Sequence, residues 1–129
     1  IIQSVRAASG CDALGANPDT GNFLLVSQLS EEALGEIAPY AYMVHFKDFS
    51  PAPEGWTGHA YEALDGSRFL GTAIGEGSVN LSGCLNHLVK AGFDGWVNVE
   101  YEADEDPFIG VPRSIANSRL LIDQARSAG

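Results

Sequence analysis

The chain has 129 residues, 45% of them hydrophobic and 19% charged, which is the composition of one globular domain with its own core. Its formal net charge of −10 argues against nucleic acids and anionic membranes as partners, because proteins that bind either one use clustered Lys and Arg. No apolar run approaches the ~20 residues of a membrane-spanning helix, and no secretory signal peptide is recognisable.

The two cysteines lack the spacing of a metal-binding or disulfide pair. Cys11 and Cys84 both lie in apolar segments, so we expect free, buried thiols. Free thiols favour a reducing compartment, and we therefore expect a cytoplasmic protein. The chain opens with Ile1 inside what reads as a helix, which predicts a processed, trimmed or partial chain.

In the first half of the chain, helices and strands alternate. Gly10 is a typical helix stop, and Ser30, followed by two glutamates, is a typical helix start. Pro39 ends that second helix. The predicted elements are a helix over 1–9, a strand over 12–19, a helix over 30–38 and a strand over 41–46.

The second half opens with a long segment, 49–70, that is rich in Pro, Gly and aromatic residues. We predict an irregular loop there, and loops of this length inside a domain usually carry function. The elements predicted after it are a strand over 69–74, a helix over 80–91, a strand over 95–101, an acidic loop and a helix over 111–127.

This alternation predicts an α/β fold made of about four βα units with parallel strands. A closed (βα)8 barrel needs eight such units and typically ~250 residues. We therefore expect residues 1–129 to form a single domain that is half of such a barrel, a chain that dimerises, or an open sheet.

Three of the predicted strands end in a residue that can bind metal: Asp19, His45 and Glu100. Because the carboxyl ends of parallel strands meet at one rim, where ligands bind, we expect these side chains to converge. Two carboxylates and an imidazole suit Mn²⁺, Mg²⁺, Co²⁺ or Zn²⁺. Each residue alone also has an ordinary explanation, as a turn residue, a strand-end histidine and a surface acid. The metal hypothesis depends on the three together.

Four stretches follow one another in the order typical of a known family: NPDTGN at 17–22, VHFKD at 44–48, IGEGSVN at 74–80 and GFDGWVNVEYE at 92–102. Together they resemble the C-terminal half of the sugar phosphate isomerase/epimerase family. This is the xylose isomerase-like TIM barrel superfamily, which also includes AP endonucleases. The resemblance spans roughly residues 10–122.

The resemblance implies a metal site and an acid/base. Asp19, His45 and Glu100 match three metal ligands of the family, and Glu100 also matches its acid/base residue. The fourth ligand of the family, a glutamate, lies on a strand that would precede Ile1. It would come from a missing N-terminal half-barrel or from a second copy of the chain. Mn²⁺ is the expected ion, with Mg²⁺, Co²⁺ or Zn²⁺ as alternatives.

The implied function is a divalent-metal-dependent isomerase or epimerase acting on a sugar or sugar phosphate. It would remove a proton alpha to a carbonyl and pass through an enediolate. The alternatives are an inosose dehydratase, a hydroxypyruvate isomerase-type enzyme, or a catalytically inactive half-barrel that binds metal or sugar. Cleavage of abasic DNA is disfavoured by the net charge of −10.

Two polar residues near the predicted ligands are candidates for substrate binding. Asn22 stands where many members of the family have a histidine, and an amide can hydrogen-bond a sugar hydroxyl. Lys47 follows His45 by two positions, so both side chains are expected on one side of the strand. It could meet a substrate oxygen or phosphate, or form a salt bridge with Asp48 or Glu100.

Three further candidates lie in loops. Trp56 and His59 could line a sugar pocket, although a solvent-exposed histidine is what a loop of this kind more often contains. Glu76, in a glycine turn, could brace Lys47 or His45, or be a plain turn acid. Glu102 lies two residues beyond Glu100 and is a rival for the ligand role.

Overall fold

The computed structural model describes residues 1–128. It contains five α-helices and five strands in this part of the chain. In chain order they are α1 (Ile2–Ser9), α2 (Asn22–Leu25), α3 (Ser30–Ile37), β1 (Met43–Phe46), β2 (Asp48–Pro51), β3 (Tyr61–Glu62), β4 (Arg68–Thr72), α4 (Leu81–Lys90), β5 (Trp96–Val99) and α5 (Pro107–Ala128). Over the same residues, no helix combines the length and the apolar character needed to cross a membrane.

The parallel part of the fold is formed by β1 and β5, which pair along their whole length from Met43 opposite Trp96 to Phe46 opposite Val99. The segment predicted as a strand over 12–19 joins β1 only through two isolated parallel bridges, Ala16 to Ala41 and Asp19 to His45. Pro18 between them has no N–H to donate, which interrupts the ladder. The bridge at Asp19 nevertheless brings that residue beside His45.

A second sheet departs from the sequence prediction. The strand predicted over 69–74 exists as β4, but it pairs antiparallel with β2 and β3 in the order β2-β4-β3. The segment predicted as irregular, 49–70, therefore contains strands. They are short and bounded by Pro and Gly, so their alternation is too brief to be recognised. This sheet is formed by the segment of the chain between β1 and α4. The parallel segments in the described residues are 16–19, β1 and β5.

The core lies between the strands and the helices. Val44 and Phe46 of β1 are fully buried, and they pack against a face of α4 that presents apolar residues at helical spacing. Because side chains alternate along a strand, His45 points to the opposite side of β1 from this core. One face of β1 therefore packs into the core, and the opposite face carries His45.

The cysteines differ from each other. Cys84 is a buried, free thiol on α4, as predicted, and burial raises its pKa to about 12. Cys11 is free but exposed, so the prediction that it is buried was wrong. It lies in the loop after α1, where the apolar residues around it do not form a packed strand.

Asp48 fixes the loop that follows β4. Its side chain is almost fully buried, and each carboxylate oxygen accepts two backbone N–H groups. Oδ1 accepts from Phe49 and Val79, and Oδ2 accepts from Gly75 and Gly77 at 2.9 Å each. A Cβ on Gly77 would collide with Oδ1. These four hydrogen bonds hold the 75–79 turn against the end of β1, directly after Lys47.

Candidate metal centre

The three strand-end residues converge as the sequence predicts. Asp19, His45 and Glu100 each offer one ligand atom, and these atoms all lie within 4.8 Å of one another. His45 Nδ1 lies 2.8 Å from Glu100 Oε2. The convergence follows from the parallel pairing of 16–19, β1 and β5, which brings the three strand ends to one rim.

Asp19 and His45 are oriented by local hydrogen bonds. Asp19 Oδ1 accepts the backbone N–H groups of Gly21 and Asn22, both at 2.9 Å, which leaves Oδ2 directed elsewhere. Burial raises the pKa of Asp19. His45 Nε2 lies 3.2 Å from the side-chain amide of Asn17. Asn17 thus contacts the site although sequence analysis gave it no role, and the signal was its i, i+2 spacing from Asp19.

Lys47 supplies the positive charge of the cluster. Its side chain is only 5% exposed, and its Nζ lies 3.1 Å from Glu100 Oε1, 3.0 Å from Glu102 Oε2 and 3.5 Å from Asp19 Oδ2. Nζ also donates to Asn22 Oδ1 at 3.3 Å. This places Asn22 and Lys47, both predicted substrate-binding residues, beside the three ligand candidates.

The contacts between Lys47 and its carboxylate partners favour the charged forms of both Lys47 and Glu100. Burial acts to lower the pKa of Lys47, but hydrogen bonds to Glu102 and Glu100 outweigh it, so this pKa lies above its ordinary value. Burial likewise acts to raise the pKa of Glu100, but the hydrogen bonds with Lys47, Asp19 and His45 and the charge of Lys47 together outweigh it, and this pKa is lowered. Glu100 is therefore a carboxylate at neutral pH, which is the form that binds a cation.

Trp56, His59 and Glu76 lie apart from the ligand candidates, in the wall of a neighbouring cavity of about 300 Å³. Glu76 lies 2.6 Å from Arg113 through Oε1 and Nε, so bracing of Lys47 or His45 by Glu76 is not what the structure shows. Glu102 lines the same cavity and contacts Lys47, and it is not one of the three grouped ligand residues. It links the cavity to the three ligand candidates.

The donor set fits a divalent cation. One imidazole nitrogen and two carboxylate oxygens form a mixed site of the kind that binds Mg²⁺, Mn²⁺, Co²⁺ or Zn²⁺. The set contains no thiolate, which distinguishes it from most structural zinc sites. The Glu100 side chain is 33% exposed and that of Asp19 is 12% exposed, so the centre is open on one side.

Among curated proteins, a Streptomyces coelicolor protein provisionally named hydroxypyruvate isomerase is 45% identical over 51 residues. The match covers 40% of this chain and 17% of that protein. A relative that is matched over so small a part of its length supports kinship between the matched segments.

Solved structures match the whole fold. A xylose isomerase domain protein from Planctomyces limnophilus aligns with a TM-score of 0.64 at 26% identity, covering 98% of this chain and 42% of that one. A xylose isomerase-like TIM barrel protein from Mycobacterium smegmatis, in complex with magnesium, aligns at 0.67 and 18% identity, covering 98% and 39%. The IOLI protein with a bound zinc atom aligns at 0.58 and 20% identity, covering 97% and 42%.

The chain thus spans about two fifths of the length of the barrels that it resembles, which confirms the predicted α/β half-barrel. The family described as xylose isomerase-like TIM barrel matches residues 1–125, nearly the whole chain. The resemblance carried by the four sequence stretches is confirmed by this match. The chain belongs to the xylose isomerase-like TIM barrel family.

Proposed function

We propose that this chain carries the metal-binding part of a divalent-metal-dependent isomerase or epimerase that acts on a sugar or sugar phosphate. The observation that supports it most is the meeting of Asp19, His45 and Glu100 within 4.8 Å at the ends of parallel strands. Membership of a family of barrel enzymes and the curated relative named for an isomerase agree with this reaction class.

Asp19, His45 and Glu100 are the residues that would hold the ion. When bound, a divalent cation polarises a carbonyl oxygen and stabilises negative charge that develops beside it. Mn²⁺ is our first choice of ion, with Mg²⁺, Co²⁺ and Zn²⁺ as alternatives. Magnesium and zinc in two structural neighbours support the divalent class. The fourth ligand would come from an N-terminal half-barrel or from a second copy of this chain.

Glu100 is the acid/base in this proposal. Its carboxylate, kept ionised by Lys47 at 3.1 Å, removes a proton alpha to the substrate carbonyl and leaves an enediolate. Return of that proton by Glu100 to the neighbouring carbon gives isomerisation. Epimerisation needs a second acid, which delivers a proton to the opposite face of the same carbon, and the glutamate expected on the earlier strand would supply it. Asn22 and Lys47 would orient substrate oxygens near the ion, and Trp56, His59 and Glu76 would line the space for the rest of the sugar.

Two other activities use the same scaffold. A hydroxypyruvate isomerase-type reaction is favoured by the name of the curated relative, and an inosose dehydratase would use the same acid/base. A half-barrel without a fourth ligand that only binds metal or sugar is the non-enzymatic alternative. For each of these activities we propose a cytoplasmic protein that binds a carbohydrate and does not bind nucleic acid.

Metal binding is tested first, by thermal unfolding with and without Mn²⁺ or Co²⁺. A ligand that binds only the folded state raises the melting temperature, and we expect a rise in the wild-type protein that His45→Ala abolishes. His87→Ala is the matched control, because His87 lies on α4 and outside the ligand group, and it should keep the rise. An equal rise in both variants would exclude His45 as a ligand.

Catalysis is tested by metal-dependent exchange of substrate protons with deuterated water, followed by NMR on the full-length gene product. Ketoses and ketose phosphates are the substrates to screen. We expect exchange alpha to the carbonyl with Mn²⁺ present, and its loss in Glu100→Gln. Exchange that persists in Glu100→Gln would remove Glu100 from the acid/base role. Cleavage of abasic DNA by the protein would overturn the sugar proposal.

A further inference from the structure

The cavity beside the metal centre is acidic. It has a volume of about 300 Å³, at the lower end of the range for small-molecule pockets. Part of its wall is formed by two aromatic side chains of the segment between β2 and β4, Trp56 and Tyr61. Four carboxylates line the cavity: Glu76, Glu102, Asp104 and Glu105. Among the lining residues, Arg113 is the one Lys or Arg.

Arg113 is already neutralised by two of these carboxylates. Its Nε lies 2.6 Å from Glu76 Oε1, and its Nη2 lies 2.6 Å from Glu105 Oε2. Nη1 donates to Glu105 Oε1 at 3.1 Å, so Glu105 holds the guanidinium through both of its oxygens. The Nε/Nη2 edge of the guanidinium thus faces Glu76 and the Nη1/Nη2 edge faces Glu105, so a phosphate or carboxylate group would have to displace one of these acids to bind Arg113 through two nitrogens.

Lys47 is also unavailable to an anion. Its ammonium has three hydrogens, and Glu102, Glu100 and Asn22 lie within hydrogen-bonding distance, with Asp19 slightly farther away. A substrate hydroxyl could replace the neutral amide oxygen of Asn22 at Nζ, but an anionic group in that place would face three carboxylates within 3.5 Å of the same nitrogen. Glu102, the nearest of the three carboxylates, stands between Lys47 and the cavity and would repel such a group.

The glycine turn after β4 is the third place where an anion could bind. In TIM barrels, loops near the last strands often cradle phosphate through backbone N–H groups. Here the N–H groups of Gly75, Gly77 and Val79 all donate to the buried carboxylate of Asp48. These N–H groups are therefore already occupied by a carboxylate of the chain and are not available to a substrate anion.

We propose that this site selects an uncharged polyhydroxy substrate, a free sugar or polyol, over phosphate esters and sugar acids; this rests on the function proposed above. The three nearby groups that could hold an anion are each occupied by a carboxylate of the chain. Carboxylates such as Glu102 and Asp104 accept hydrogen bonds from sugar hydroxyls, and Trp56 or Tyr61 can cover the apolar face of a sugar. The proposal separates free from phosphorylated substrates, and it disfavours hydroxypyruvate, which is an anion.

The test compares matched ligands on the Mn²⁺-loaded, full-length protein by ligand-observed NMR titration. The probes are D-fructose, D-fructose 6-phosphate, hydroxypyruvate and inorganic phosphate. We expect D-fructose to bind at least tenfold more tightly than its 6-phosphate. Equal or tighter binding of the phosphate ester, or no binding of D-fructose, would overturn the proposal.

A charge variant tests the cause of the selectivity. Glu105→Gln removes the two-oxygen partner of Arg113, and we expect the affinity for D-fructose 6-phosphate to rise at least threefold. Glu36→Gln makes the same charge change on α3, away from the cavity, and should leave that affinity unchanged. Equal effects of the two variants would contradict the role of Arg113. Proton exchange in the same samples keeps the two proposals distinct: selective binding of D-fructose without exchange would overturn the isomerase and leave the selectivity intact.

Discussion

Two carboxylates near the strand ends, Asp48 and Glu100, are stabilised in opposite ways. Asp48 is buried and takes all of its hydrogen bonds from backbone N–H groups of Phe49, Gly75, Gly77 and Val79. The side chain of Glu100 is one third exposed and pairs with the side chains of His45 and Lys47. The first carboxylate is tied to the chain itself, and the second to groups that can rotate away.

This difference separates a structural acid from a functional one. Backbone donors cannot leave without unfolding the 75–79 turn, so Asp48 cannot change its partners. Glu100 can exchange a side-chain partner for a cation or a proton at the cost of a rotamer change. In the HFKD sequence at 45–48, Phe46 and Asp48 are buried and structural, and we propose that His45 and Lys47 carry the function.

The largest effect is expected for Asp48→Asn. The amide presents N–H₂ where one carboxylate oxygen accepted two backbone N–H groups, so two buried donors lose their partner. We expect the free energy of unfolding to fall by about 3 kcal/mol. Chemical denaturation followed by circular dichroism measures it.

The matched control is Asp94→Asn, at an exposed position in the loop before β5. It removes the same charge without removing a buried acceptor, and should change the stability by less than ~0.5 kcal/mol. Similar losses in the two variants would mean that net charge, and not the backbone cradle, accounts for the effect.

Lys47→Met is the next largest effect and should depend on metal. Without the ammonium, the carboxylates of Asp19, Glu100 and Glu102 repel one another, and we expect a loss of about 2 kcal/mol in metal-free buffer. A divalent cation replaces the lost charge, so Mn²⁺ should restore at least half of the loss. Thermal unfolding with EDTA and with Mn²⁺ gives both values.

Two comparisons define this result. Lys90→Met, at an exposed position on α4, should show neither the loss nor the rescue. Mn²⁺ should raise the melting temperature of Asp48→Asn by the same amount as in the wild type, so its deficit relative to the wild type should be equal in EDTA and in Mn²⁺, because the cradle of Asp48 lies on the backbone. Rescue of Asp48→Asn to the same extent would erase the distinction between the structural and the functional carboxylate.

The ligand candidates could be found from the sequence because the relevant pattern is local. Apolar alternation ends at His45 and again at Glu100, and strand ends are where barrel sites lie. Four of the five helices were also predicted closely, and the α4 stripe of Leu81, Cys84, Leu85 and Leu88 has clear helical spacing. The single-turn helix α2 (Asn22–Leu25) was not predicted, because four residues are too few for a helical period.

What escaped prediction depends on pairing between distant segments. The antiparallel sheet joins β2 to β4 across a Pro- and Gly-rich segment, and no local pattern announces that pairing. The salt bridge of Lys47 with Glu100 was one of the predicted alternatives, but its contact with Glu102 was not. The contact of Arg113 with Glu76 also joins residues that are distant in sequence. Spacing placed Glu102 on the correct side of the chain, but it could not distinguish a metal ligand from the partner of a lysine.

The smallest effect is expected for Glu102→Gln, compared with Glu100→Gln. If Glu102 only balances the charge of Lys47 at a part-exposed site, its loss should cost no more than ~1 kcal/mol. It should also keep the rise in melting temperature produced by Mn²⁺. Glu100→Gln removes a ligand oxygen and should abolish most of that rise, because an amide binds a cation less strongly than a carboxylate does. If Glu102→Gln lost the rise and Glu100→Gln kept it, the third ligand would be Glu102, and the functional carboxylate would lie two residues farther along the chain.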